Sequence, residues 1–149
     1  MGSHYEGTAK EKRALSVYIK FTRASESVDA FLSKRLAESD MTVRQLAVLE
    51  ALLHLGPLSQ GELAAKMLRT GGSVTSMVDH LEDQGLVRRS RDTQDRRIVR
   101  VDLTAQGRQR ITTVFPHHVA AMVEALSSLT AAEQDELGRL CRKLGLGLA

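Results

Sequence analysis

Apolar positions along the chain follow helical periods, interrupted once by a strand-like stretch. From about residue 11 to 36, Leu15, Tyr18 and Ile19, and then Val28, Phe31 and Leu32, fall at three- and four-residue spacings with small residues between the two groups, which predicts a long helix with one buried stripe. Residues 1–10 before it predict a flexible tail. Thr42 and Gln45 have capping-box spacing, and the helix they open carries Leu46, Leu49 and Leu53 on one face until Gly56 and Pro57 stop it. Ser59 and Glu62 form a second box, with Leu58 and Leu63 as a hydrophobic staple, for a short helix to about Leu68. A turn over Arg69–Gly72 then leads to a helix over Ser73–Gln84. Its stripe is Val74, Met77, Val78 and Leu81, and its other face holds Ser73, Ser76, Asp79, His80 and Asp83, with Thr75 at the edge. Gly85 stands where a left-handed residue ends a helix.

The period then changes. Residues 86–90 and 98–103 alternate imperfectly around a polar tip, residues 91–97, which predicts a β-hairpin. Two strands alone are marginal, so this ribbon must rest on the helices before it. Thr104 caps a second long helix with Ile111, Val114, Phe115, Val119, Met122, Val123 and Leu126 on its apolar face, and Pro116 inside it predicts a kink. Thr130 and Glu133 form a third capping box, opening a helix with Leu137, Leu140, Cys141 and Leu144 on one side. The fold class is therefore mainly α with a small antiparallel β-wing. Residues 11–149 read as a single domain, with a winged helix-turn-helix over about 41–104 and long terminal helices over about 11–36 and 105–149.

Composition narrows the function. With 3% aromatics and no Trp, the core is aliphatic. One cysteine excludes an intramolecular disulfide, and its place on the apolar face of the last helix predicts packing rather than redox chemistry. No apolar run reaches the roughly 18 residues that cross a bilayer, and no signal-peptide pattern opens the chain, so a cytoplasmic protein without a membrane is expected. The chain's net charge is only +3, yet Arg88, Arg89, Arg91, Arg96, Arg97 and Arg100 meet only Asp92 and Asp95 within one short window. A local basic strip on a nearly balanced protein suits a polyanion met at one place. Next to a helix with small polar residues on its open face, the strip suits double-stranded DNA, whose major groove admits one α-helix.

Four segments carry a family resemblance: residues 41–49 (MTVRQLAVL), 58–64 (LSQGELA), 74–87 (VTSMVDHLEDQGLV) and 95–107 (DRRIVRVDLTAQG). In this order and spacing the chain resembles the MarR family of bacterial regulators. The resemblance implies a homodimer joined by the terminal helices, bound to a pseudo-palindromic operator, usually as a repressor. It places Ser73, Thr75, Ser76 and His80 at the major groove and Arg97 in the minor groove, held by Asp95. Arg88, Arg89, Arg91 and Arg96 become candidates for phosphate contact or wing rigidity. It also implies a small aromatic or phenolic effector, for which Tyr18, Phe21, Arg44, His54, Phe115 and His118 are candidate lining residues; a stripe of aromatics at helical spacing is more often core than pocket.

Other chemistries find less support. His117 and His118 diverge by about 100° on a helix, and the residues four positions on are Ala121 and Met122, so polar-core histidine or ligand contact is expected and no metal or cofactor. Relatives that sense peroxide carry their cysteine near the start of the first helix, unlike Cys141. No nucleophile with a base and no phosphate loop appears, so no enzyme is expected. The alternatives are a winged-helix module for protein association, whose arginines meet an acidic partner, and a nonspecific architectural DNA binder.

Overall fold

The computed structural model describes residues 4–67 and 71–149. They form, in chain order, α1 (Ala9–Ala37), α2 (Val43–Leu55), β1 (Leu58–Ser59), α3 (Gln60–Met67), α4 (Gly71–Asp83), β2 (Val87–Arg91), β3 (Val99–Leu103), α5 (Ala105–Ala125) and α6 (Ala131–Leu146). The end expected for α3 at Leu68 and the first half of the expected turn lie outside the described residues, and Gly71 and Gly72 already belong to α4. The chain divides into two compact units, one of residues 35–120 and one of residues 1–34 with 121–149.

Local signals set most of the ends. Thr42 Oγ1 accepts the Gln45 amide at 3.1 Å while Gln45 Oε1 accepts the Thr42 amide at 3.0 Å. Ser59 with Glu62 and Thr130 with Glu133 repeat that reciprocal pair. A fourth box, Thr8 with Glu11, starts α1 at Ala9, two residues before the expected start. Gly85, at φ +73°, closes α4 in a Schellman motif: its own amide donates to Glu82 O and the Leu86 amide to Leu81 O. Helix α5 runs unbroken through Pro116 to Ala125.

In the unit of residues 35–120 a single apolar core gathers Leu46, Leu49 and Leu52 of α2, Leu63 of α3, Val74, Val78 and Leu81 of α4, Val87 and Val101 of the strands and Ile111 of α5. The sheet has three strands, in the order β1–β3–β2, all antiparallel. The sequence predicts two. The third is the pair Leu58–Ser59, which lies beside Val101 and Arg100 and thereby ties the start of α3 to the wing. Side chains alternate along β3, with Val101 and Leu103 turned inward.

The junction between α4, the sheet and α5 is tight. Thr104 accepts the Gly107 amide at 2.9 Å, donates its hydroxyl proton to Gly85 O at 2.6 Å, and its own amide reaches Leu86 O. A Cβ at Gly107 would overlap the Leu86 carbonyl oxygen. Arg110 of α5 donates from Nη2 to Ser39 O at 2.5 Å, holding the loop that precedes α2.

The other unit is open. Val17, Tyr18, Phe21, Val123, Leu137, Leu140 and Leu144 all lie exposed, and α6 buries no residue. Cys141 is exposed as well, which corrects the expectation of a packed thiol: it stands on a helix none of whose residues is buried. Among the described residues no helix is long and apolar enough to cross a membrane.

The Gly107 contact yields the first prediction. Gly107→Ala forces the α5 N-terminus away from Leu86 and lowers stability by roughly 1–3 kcal/mol, as overpacking does in other cores. Urea unfolding of the two proteins measures it, and an unchanged midpoint would mean that the junction yields freely.

Candidate nucleic-acid interface

The core dictates what α4 shows to solvent. With Val74, Val78 and Leu81 fully buried, the remaining turns point outward, and Ser73, Thr75, Ser76, Asp79 and His80 are exposed. Small polar side chains on a helix held from behind make a face that a groove can receive. His80 also borders a shallow cleft with Asp40, Thr42, Gln45 and Gln84.

The wing follows from β2 and β3. Their register sets Arg88 against Asp102, and the two side chains meet at 3.4 Å. Arg91 Nη1 donates to the Arg96 carbonyl at 2.7 Å, closing the tip. Asp92 does more than any other tip residue. It accepts the amides of Gln94 and Asp95 at 3.1 and 3.0 Å and the Arg100 Nε at 2.6 Å. The Arg100 bond and the two amides hold its carboxyl below the usual aspartate range. Asp95 takes the Arg97 amide at 3.0 Å and lies 3.5 Å from Arg97 Nε, so the pair implied by the resemblance exists as geometry. Arg97 is 94% exposed, and Arg96 is exposed with no ion pair among the described residues.

Arg89 behaves differently from its neighbours. Its side chain is only 21% exposed and meets Asp79, Glu82, Gln60 and the Thr75 carbonyl. Three of these partners, Gln60, Asp79 and Glu82, are absent from the sequence-based site, as are Asp92 and Arg100. Their contacts span 7 to 29 residues, so no local pattern announces them.

The candidate ligand residues do not converge on one place within either unit. Phe115 packs against the core, Arg44 is exposed in the first turn of α2, and His54 is exposed 3.5 Å from Glu50. His118 is buried, its Nδ1 has no hydrogen-bond partner among the described residues, and burial lowers its pKa. In the other unit Tyr18 and Phe21 are exposed, and Phe21 lines an open cleft of about 400 Å³ with Val28, Leu126, Leu129, Leu137 and Cys141.

Asp92 carries the second prediction. Its folded pKa is depressed, so its contribution to wing order is present above the unfolded aspartate value of about 3.9 and fades as pH falls through the lower folded value. The Gln94 and Asp95 amide shifts, followed by NMR, titrate with a midpoint below about 3.9. A midpoint at or above it contradicts the arrangement.

Comparison with known proteins agrees with this geometry. The model of the MarR family matches residues 41–99, from the loop before α2 into β3. The uncharacterized HTH-type transcriptional regulator YkoM of Bacillus subtilis is 33% identical over 135 residues, covering 91% of this chain and 88% of YkoM. A mutant MarR of Escherichia coli, solved in complex with operator DNA, superposes with a TM-score of 0.81 at 25% identity, over 89% of this chain and 95% of its own. BpsR of Bordetella bronchiseptica superposes with a TM-score of 0.80 at 26% identity, over 87% and 98%. With a winged helix-turn-helix fold and these relatives, the chain belongs to the MarR family of DNA-binding transcriptional regulators.

Proposed function

We propose that this regulator acts in the cytoplasm as a homodimeric, effector-responsive repressor of a pseudo-palindromic operator. The observation that carries the DNA reading is the exposed polar face of α4 beside an arginine-tipped wing within one compact unit. Ser73, Thr75, Ser76 and His80 then meet the major groove, and Arg97 enters a neighbouring minor groove, where negative potential favours arginine. Arg88, Arg91 and Arg96 supply phosphate contact or wing rigidity, and Asp95 orients Arg97.

The dimer rests on the open unit. Its terminal helices expose Val17, Tyr18, Phe21, Leu137, Leu140 and Leu144 together, an extent of apolar surface that marks an interaction site. A two-fold pair of such chains presents two α4 helices to half-sites one DNA turn apart. The effector reading is supported by BpsR, whose DNA binding is described as regulated by 6-hydroxynicotinic acid, and by the unpartnered buried imidazole of His118. A small aromatic or phenolic acid is the ligand class, with Tyr18, Phe21, Arg44, His54, Phe115 and His118 as the residues to examine.

Selection of bound sequences from a random duplex library at about 150 mM salt tests the function, this salt being near the physiological range in which specificity is meaningful. An enriched inverted repeat with half-sites about 10 base pairs apart is the expected result. Binding without a motif indicates an architectural protein, and no binding at all indicates either a protein-association module or a regulator isolated in its ligand-bound, DNA-incompetent state. On the selected site, Arg97→Ala weakens binding by roughly 1–3 kcal/mol. Unchanged affinity removes Arg97 from the interface.

A further inference from the structure

Within the arginine-rich window, Arg89 is the side chain most enclosed by partners. Its Nε donates to Gln60 Oε1 at 2.9 Å, its Nη1 to Glu82 Oε1 at 3.1 Å and its Nη2 to the Thr75 carbonyl at 3.2 Å, while Nη2 also lies 2.6 Å from Asp79 Oδ1 in an ion pair. Three of the five guanidinium N–H groups are thereby hydrogen-bonded. Its backbone amide adds a fourth hydrogen bond, to Glu82 Oε2 at 2.8 Å. Gln60 closes the circuit by donating from Nε2 to Thr75 Oγ1 at 3.0 Å. The contacts connect β2, the first turn of α3 and the length of α4 from Thr75 to Glu82.

We propose that Arg89, with Gln60, is a positioning residue for DNA recognition: it locks the outward face of α4 to the wing strand and takes no phosphate itself. The proposal rests on the DNA-binding reading above. Charge supports it. Two carboxylates stand within 3.1 Å of one guanidinium, so a phosphate approaching Arg89 meets more negative than positive charge. Geometry supports it as well, because the bonds reach the same turns of α4 that carry Thr75, Ser76 and His80. A rotation of α4 on its apolar stripe is opposed by polar bonds at both ends of that face. Lysine, a single point charge on a flexible stem, lacks the planar fork that spans these partners.

The test uses the full chain with Arg89→Lys, Arg89→Gln and the double variant Asp79→Asn with Glu82→Gln. Each binds the selected duplex and a scrambled duplex across a salt series. Both Arg89 variants are expected to lose at least tenfold on the selected duplex while keeping the wild-type affinity for the scrambled one and the wild-type salt slope. A lost phosphate contact would instead weaken both duplexes, make the slope shallower by about 0.9, and be largely rescued by lysine. That pattern overturns the proposal, as does unchanged binding. The double variant removes two negative charges, which alone would tighten binding to any polyanion; positioning predicts weaker binding to the selected duplex. A gain on both duplexes overturns it. Should the wild-type chain bind no duplex, amide exchange examines the lock independently of the DNA reading. Residues 76–83 are then expected to exchange at least tenfold faster in Arg89→Lys with α2 unchanged, and equal rates overturn it.

Discussion

The polar face of α4 is useful only because its other face has nowhere else to go. Val74, Val78 and Leu81 are fully buried against Leu46, Leu49 and Leu63, and the inner side of β3 closes the same core through Val101. Truncating one such leucine typically costs about 2–5 kcal/mol, a large part of a domain's net stability. The same constraint supports the wing. A pair of five-residue strands does not hold its shape alone, so β1 on its edge and the helical core beneath it are conditions for a fixed tip. The contact of Gly107 with Leu86 then brings α5 in at a distance that leaves no room for a side chain.

On that base the arginines of one short window divide into distinct roles. Arg89 and Arg100 are held by acids, at 2.6 Å from Asp79 and from Asp92 respectively, and serve the shape of the unit. Arg91 closes the tip through a backbone carbonyl, and Arg88 meets Asp102 at 3.4 Å. Arg97 stands almost wholly in solvent, with an aspartate beside its amide and guanidinium. A charge run that looks uniform in sequence is thus part scaffold and part surface, and the acids that seem to dilute it do much of the organising.

What was legible in the sequence was what is local. The reciprocal pairs at Thr42, Ser59 and Thr130, the stripe of α4 and the left-handed Gly85 all involve residues within a few positions of one another. The pair at Thr8 and Glu11 belongs to the same class, although the early start of α1 did not stand out against a polar tail. The third strand was not legible, because Leu58–Ser59 becomes a strand only by meeting β3 more than 40 residues later. Gln60 with Arg89 and Asp92 with Arg100 depend likewise on how α3, α4 and the hairpin pack. The exposure of Cys141 escaped for a further reason: apolar periodicity reports which face seeks cover and not whether the same chain provides it.

On the proposed reading, α4 and the wing meet duplex DNA together as one body. Hydroxyl-radical and methylation footprinting of the full chain on its selected duplex tests it most directly. The account predicts major-groove protection at two sites about one helical turn apart, each beside minor-groove protection that vanishes in Arg97→Ala. Major-groove protection without any wing-dependent minor-groove signal, or uniform protection along the duplex, would contradict it.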